Sequence, residues 1–144
     1  MNFTAAINPG AAAGPVDLIA SGGELSRFLL ALKVCLAERG GERAMIFDEI
    51  DRGVGGATAD AVGRRLVRLA GEGQVLVVTH SPQVAALGAH HWQISKTING
   101  QVTRTDVIRL GRADRLNEIA RMLAGEGITP EARSAAKALL DQAG

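Results

Sequence analysis

Cysteine, lysine and long apolar runs are all scarce in this 144-residue chain, and each scarcity closes off a class of protein. The single cysteine, Cys35, rules out an intramolecular disulfide and any multi-cysteine metal site. No stretch approaches the roughly 18 consecutive apolar residues of a membrane span, so none is expected. No basic stretch followed by an apolar block opens the chain, so no secretory signal is expected and the chain reads as cytoplasmic. None of the three lysines (Lys33, Lys96, Lys137) follows a glycine, so the phosphate loop G-x-x-x-x-G-K-[ST] is absent. An excess of one charge is missing too. The 16 basic and 15 acidic residues leave a net +1, which gives no sign of an electrostatically driven nucleic-acid or membrane binder. What is present is ordinary for a globular domain: 47% hydrophobic and 22% charged residues, too apolar for a disordered chain. A chain of this length is about one domain's worth, and a compact domain of this size buries roughly 68–70% of its unfolded surface.

Apolar periodicity sets out the elements. Phe3 to Ile7 is expected as a short strand stopping at Asn8-Pro9-Gly10, and Pro9 to Pro15 as a small-residue loop. Leu25, Phe28, Leu29, Leu32 and Leu36 recur at helical spacing, which predicts a helix from about Leu25 to Arg39. Ala44 to Phe47 and Val75 to Val78 are short apolar runs of the kind buried strands show. Between them Val62, Leu66 and Leu69 mark a helix that Gly71 stops. Ser81-Pro82 supplies an N-cap and an N1 proline for a third, short helix. This alternation predicts an α/β fold with a parallel sheet core and flanking helices. Trp92 to Ile98 and Val102 to Leu110 flank Asn99-Gly100, the signature of a β-hairpin. Two closing helices are expected, from about Asp114 to Ala124 on Leu116, Ile119, Ala120 and Leu123, and from Thr129-Pro130 to near Ala143.

Three constellations bear chemistry. Ser21-Gly22-Gly23-Glu24 opens the first helix. A capping box explains the serine and the glutamate. It leaves unexplained two glycines in a first helical turn, where each costs about 1 kcal/mol relative to alanine. Glycines there let backbone approach a ligand, and helix N–H groups attract phosphate, so a cap and a phosphate contact stand level. Asp48-Glu49 follows the strand Ala44 to Phe47. In open parallel sheets the ligand crevice lies at the carboxyl ends of the strands. Adjacent acids there suit a divided task, one holding Mg²⁺ and the other positioning or deprotonating water; a solvated loop after a core strand is the plainer reading. Thr79-His80 follows the strand Val75 to Val78. If the two strands are neighbours, His80 emerges at the same edge as Glu49, where a histidine can bond a phosphate and orient water. By itself it would be a loop histidine. Asp51 to Gly56 is a glycine-rich turn, and Asp51 is either a loop residue or a contact across an interface. His90 and His91 are expected at the surface or in a turn, since two adjacent histidines without further ligands make no metal site.

The order of these pieces resembles the second half of an ABC-type ATPase head, in its SMC-like branch, where the signature reads SGGE. It narrows to the RecN family of bacterial double-strand-break repair ATPases. The residues that carry this are Ala20 to Arg27 (ASGGELSR), Ile46 to Asp51 (IFDEID) with Gly53 to Gly56 (GVGG), Val78 to Ala85 (VTHSPQVA), Glu118 to Leu123 (EIARML), Gly125 and Ile128-Thr129. The resemblance implies one C-terminal lobe, residues 1–144, of a split P-loop head whose Walker A lobe and coiled coil are elsewhere. It implies ATP and Mg²⁺ as cofactors. Ser21, Gly22 and Gly23 are then the signature that binds the γ-phosphate of a nucleotide on the opposing head, with Glu24 and Asp51 in the same nucleotide-binding set. On the same resemblance Asp48 would be the Walker B magnesium residue, Glu49 the catalytic carboxylate and His80 the switch histidine. Residues Asp51 to Gly56 fall in the D-loop region, but the usual D-loop aspartate aligns near Gly55, so Asp51 does not inherit that role.

The implied activity is ATP hydrolysis in DNA double-strand-break repair and recombination, present only when the lobe is completed and dimerised. The implied partners are the N-terminal Walker A lobe, a second head in an ATP-dependent homodimer and, by resemblance only, DNA, in a cytoplasmic, nucleoid-associated setting away from membranes. The alternatives are a non-catalytic interaction lobe and the head lobe of another SMC-like or RecF-type protein. Arg64, Arg65 and Arg68 share one helix, and Arg104, Arg109, Arg112 and Arg115 follow later; both groups read as solvated polar faces rather than as DNA contacts.

Overall fold

The structure, a computed structural model, describes residues 4–6, 10, 12–15, 25, 28, 44–48, 50–51, 53–71, 73–99, 102–125 and 127–143. These fall into two compact units, Met1–Thr79 and His80–Gly144.

In the first unit, β1 (Thr4–Ala5) pairs antiparallel with β2 (Gly14–Pro15). The expected small-residue loop thus ends in a two-residue strand, short enough for a proline to sit in its ladder. Leu25 and Phe28 are helical and half-buried; the rest of the helix expected from Leu25 to Arg39 lies outside the described residues.

The unit's main element is a β-α-β passage. β3 (Ala44–Asp48) runs parallel to β4 (Gln74–Val78), with Met45 opposite Val75 and Asp48 opposite Val78. Helix α1 (Gly56–Ala70) joins them, as a parallel pair requires. Its stripe of Ala59, Val62, Leu66 and Leu69 is buried, and Gly71 closes it with its N–H on the carbonyls of Arg68 and Leu69. Alternation puts Met45, Phe47, Val75 and Val77 on one face of the pair, half-buried or buried.

The other face corrects the expectation of fully buried strands: Ile46, Leu76 and Val78 are 66%, 48% and 39% exposed. A short apolar run shows that both faces avoid polar residues, whereas cover on each face depends on a second layer. No described layer covers this one.

In the second unit, α2 (Pro82–Leu87) starts as its sequence dictates. Ser81 Oγ accepts the Val84 N–H at 3.4 Å and donates to Gln83 Oε1 at 2.9 Å, and Pro82 takes the first helical position. The hairpin β5 (Trp92–Asn99) and β6 (Val102–Arg109) follows. Its register pairs Asn99 with Val102, so Asn99 belongs to the ladder and not to the turn where it was expected.

Helices α3 (Arg112–Ala124) and α4 (Pro130–Ala143) pack with α2 around Ala85, Ala86, Ile119, Ala120 and Ala136. Four alanines let the helix backbones approach closely. Ile119, fully buried, fills the centre and is worth about 1.5–3 kcal/mol of transfer free energy. Leu116, Met122, Leu139 and Leu140 close the rim. Leu123, expected on the core face, is 36% exposed, and Glu118 is buried instead. Thr129 caps α4, its hydroxyl accepting the Ala132 N–H at 3.2 Å.

Candidate functional site

The parallel pair brings the C-terminal ends of β3 and β4 side by side, because Asp48 and Val78 are register partners. Asp48 is the last residue of β3 and is exposed. The chain then turns inward: Ile50 and Asp51 are both 7% exposed, and the Val54 N–H closes a turn on the Asp51 carbonyl at 3.1 Å. Gly53 takes φ +73° in this turn, a conformation that side chains disfavour. The Thr79 hydroxyl, one residue beyond β4, donates to the Asp51 carboxylate. A buried carboxylate needs such donors, since an unsatisfied one costs more than an ordinary lost hydrogen bond. Asp48, Asp51 and Thr79 therefore share one end of the first unit, with Asp48 outward and Asp51 inward. His80 is exposed and opens the second unit. Ser21, Gly22, Gly23, Glu24 and Glu49 lie outside the described residues.

Among the described residues no cluster of three His, Cys, Asp or Glu side chains could hold a metal ion. One exposed carboxylate at a strand end does fit Mg²⁺ that arrives with a nucleotide. Mg²⁺ keeps several waters and is held through one or two carboxylates plus the substrate's phosphates.

The arginines are largely engaged locally. Arg64 pairs with Asp60 at 2.8 Å and Arg104 with Asp106 at 2.9 Å. Arg115 points into the second unit and donates to the carbonyls of Ala85, Ala86 and Gly88 at 3.3, 2.7 and 2.5 Å. It thereby satisfies orphan carbonyls at the end of α2.

A second polar cluster escaped the reading of the sequence. Glu118 accepts two hydrogen bonds from Arg121, at 2.9 and 2.6 Å, and one from Gln93 Nε2 at 2.6 Å. The i,i+3 spacing of Glu118 and Arg121 was visible in the sequence; the approach of Gln93 from the hairpin was not. His91, expected at the surface, is half-buried, and its Nδ1 is buried with no hydrogen-bond partner among the described residues. His90 is exposed, packs edge-on against Trp92 at 5.8 Å and bonds Arg109.

Burial first, and then the Arg115 charge, hold His91 below the usual histidine value of 6.5, with Glu118 opposing. The Arg121 hydrogen bonds hold Glu118 below the usual 4.5 against the cost of burial. Both shifts are downward, so the unfolded chain binds more protons in acid and stability falls as pH is lowered. The contribution of His91 is complete above pH 6.5 and is lost as pH falls through its lowered value; that of Glu118 follows the same course below pH 4.5. Urea unfolding followed by the single tryptophan, Trp92, should shift to lower midpoints between about pH 7 and about pH 5. His91→Gln should flatten that slope, and a parent midpoint level across the range would contradict it.

No protein-family model matches the chain. Curated relatives do. The chain is 49% identical over 138 residues to DNA repair protein RecN of Rickettsia conorii, covering 96% of this chain and 25% of that protein. It is 48% identical over 136 residues to DNA repair protein RecN of Streptomyces coelicolor, covering 94% and 24%. It is 46% identical over 140 residues to DNA repair protein RecN of Xylella fastidiosa, covering 97% and 25%. The chain thus spans about a quarter of the length of these relatives. Among solved structures it is similar in fold to a chain from work on ATP-driven dimerization and DNA-stimulated activation of SMC ATPases. The TM-score is 0.58 at 19% identity, over 82% of this chain and 70% of that one. The mixed α/β fold, small sheets with helices, is similar to that of this SMC ATPase chain.

Proposed function

Because the chain is homologous to DNA repair protein RecN along a quarter of that protein's length, we propose that it works as the C-terminal lobe of an SMC-like ATPase head in DNA double-strand-break repair. The observation that carries this is the identity of 49% over 138 residues, 96% of the chain. The exposed face of Ile46, Leu76 and Val78 supports it, since a lobe completed by a second lobe leaves apolar sheet surface to be covered.

In this reading Glu49 accepts the proton of the attacking water as its oxygen bonds the γ-phosphorus and the bridging P–O bond breaks. Asp48 would hold Mg²⁺, which would supply positive charge against the developing charge of the phosphates. His80 bonds the γ-phosphate and orients the water. Ser21, Gly22 and Gly23 present N–H groups and a hydroxyl to the nucleotide of the opposing head, and Glu24 steadies that turn as a capping box. DNA enters as a partner of the assembled head by the resemblance alone; the described arginines Arg64, Arg104 and Arg115 have local partners.

The test is dimerisation. If Ser21 serves only as a cap, Ser21→Ala costs about 1 kcal/mol of stability and Ser21→Arg leaves association intact. As a contact to the opposing nucleotide, Ser21→Arg should abolish ATP-driven dimerisation of completed heads, measured by light scattering, while circular dichroism stays that of the parent. Dimerisation equal to the parent's would remove Ser21 from the interface.

A further inference from the structure

We propose that Asp51 is a positioning residue, whose buried carboxylate, held by the Thr79 hydroxyl, clamps the segment after β3 against the end of β4. Its consequence for turnover rests on the ATPase reading above; the clamp itself does not.

Asp51 stands three positions after Asp48 and two after Glu49, yet it is 7% exposed while Asp48 is exposed. A carboxylate so buried, with a threonine hydroxyl on it, faces into its own unit rather than toward a ligand on another molecule. Thr79 lies 28 residues further on, so the bond ties together two segments that only the parallel pairing of β3 and β4 brings together. Each end of the tie is adjacent to chemistry. On one side are Asp48 and Glu49. On the other, one peptide after Thr79, is His80, whose backbone lies within about 3.8 Å of a fixed Cα. The turn closed by the Val54 N–H and the left-handed Gly53 brings the chain back toward α1 after the clamp. Asp51 thus ties the segment after β3 to the end of β4, next in sequence to the proposed base and to the proposed phosphate-sensing histidine, without contacting substrate.

This differs from a direct role in a way that chemistry can separate. A carboxylate that binds nucleotide or metal needs its charge. A carboxylate that accepts from Thr79 needs only an acceptor oxygen of the right size, which asparagine keeps. In the head completed with a Walker A lobe, Asp51→Ala and Thr79→Val should each lower kcat by about 10–100-fold, the scale of a misplacement of roughly 1 Å, with KM for ATP within about threefold. The double variant should cost clearly less than the two single effects combined, because the singles share the Asp51–Thr79 bond. Asp51→Asn and Thr79→Ser should recover most of the loss. Additive singles, or Asp51→Asn as damaging as Asp51→Ala, would overturn the proposal.

A completed parent head that hydrolyses no ATP would sink the ATPase reading instead, and the clamp would then be decided in this chain alone. Hydrogen exchange of the Val54 amide should quicken about tenfold in Thr79→Val and stay near the parent rate in Thr79→Ser, while amides in the middle of α1 are unchanged. An unchanged Val54 amide in Thr79→Val would overturn the clamp, and quickening throughout α1 would show general unfolding in place of a local tie.

Discussion

Glu49→Gln in the completed head is expected to reduce ATP turnover by about 10²–10⁴-fold, the range a general base contributes, while ATP still binds and still drives dimerisation. The substitution keeps the side chain's size and removes the basic carboxylate proposed to take the proton from water. Asp48, proposed to hold Mg²⁺, is unchanged in this variant, so nucleotide affinity should change little. The expectation comes from the position of Glu49 immediately after Asp48, the exposed last residue of β3, at the end of a parallel pair where open α/β sheets place their ligands. Single-turnover kinetics beside equilibrium nucleotide binding separates the two steps. Turnover within about threefold of the parent, against the hundredfold minimum above, would place the base elsewhere.

The second large effect is an absence of activity in this chain by itself. A phosphate cradle of the P-loop kind is a run of backbone N–H groups with a lysine that reaches the β- and γ-phosphates. Lys33, Lys96 and Lys137 follow Leu32, Ser95 and Ala136, so no such lysine is available. Asp48 and Glu49 would meet the nucleotide as carboxylates without that compensation, and binding should be weak even with Mg²⁺. The signature cannot repair this, because Ser21 to Gly23 are proposed to serve a nucleotide on another head. Two copies of the chain would still lack the loop.

Features set by neighbours in sequence were legible from the residues. Ser81 and Pro82 announce the start of α2, Thr129 and Pro130 that of α4, and both starts are observed. The spacing of Val62, Leu66 and Leu69 gives the buried stripe of α1. Features set by tertiary partners were not. Nothing near Asp51 in the chain says that Thr79, 28 positions away, will bury it. Arg115 reads as one of several surface arginines until its guanidinium is seen capping the carbonyl end of α2. His91 reads as a turn residue, and only the structure brings it near Arg115 and Glu118 of α3. Ile46, Leu76 and Val78 match a buried strand in composition, and only the structure shows that no described layer covers that face. Asp48 and Thr79 were found by motif and order, and the register of β3 against β4 is what puts them at one end.

Steady-state ATP hydrolysis, measured for this chain, for a separately purified Walker A lobe of the RecN type, and for the two mixed, addresses the split head most directly. Negligible turnover for each part and turnover in the mixture that Glu49→Gln abolishes is the predicted result. Hydrolysis by this chain alone, or MgATP bound to it with a low-micromolar dissociation constant, would show a complete site within these 144 residues and contradict the split head. A mixture that associates and stays inert would contradict the catalytic role and leave an interaction lobe.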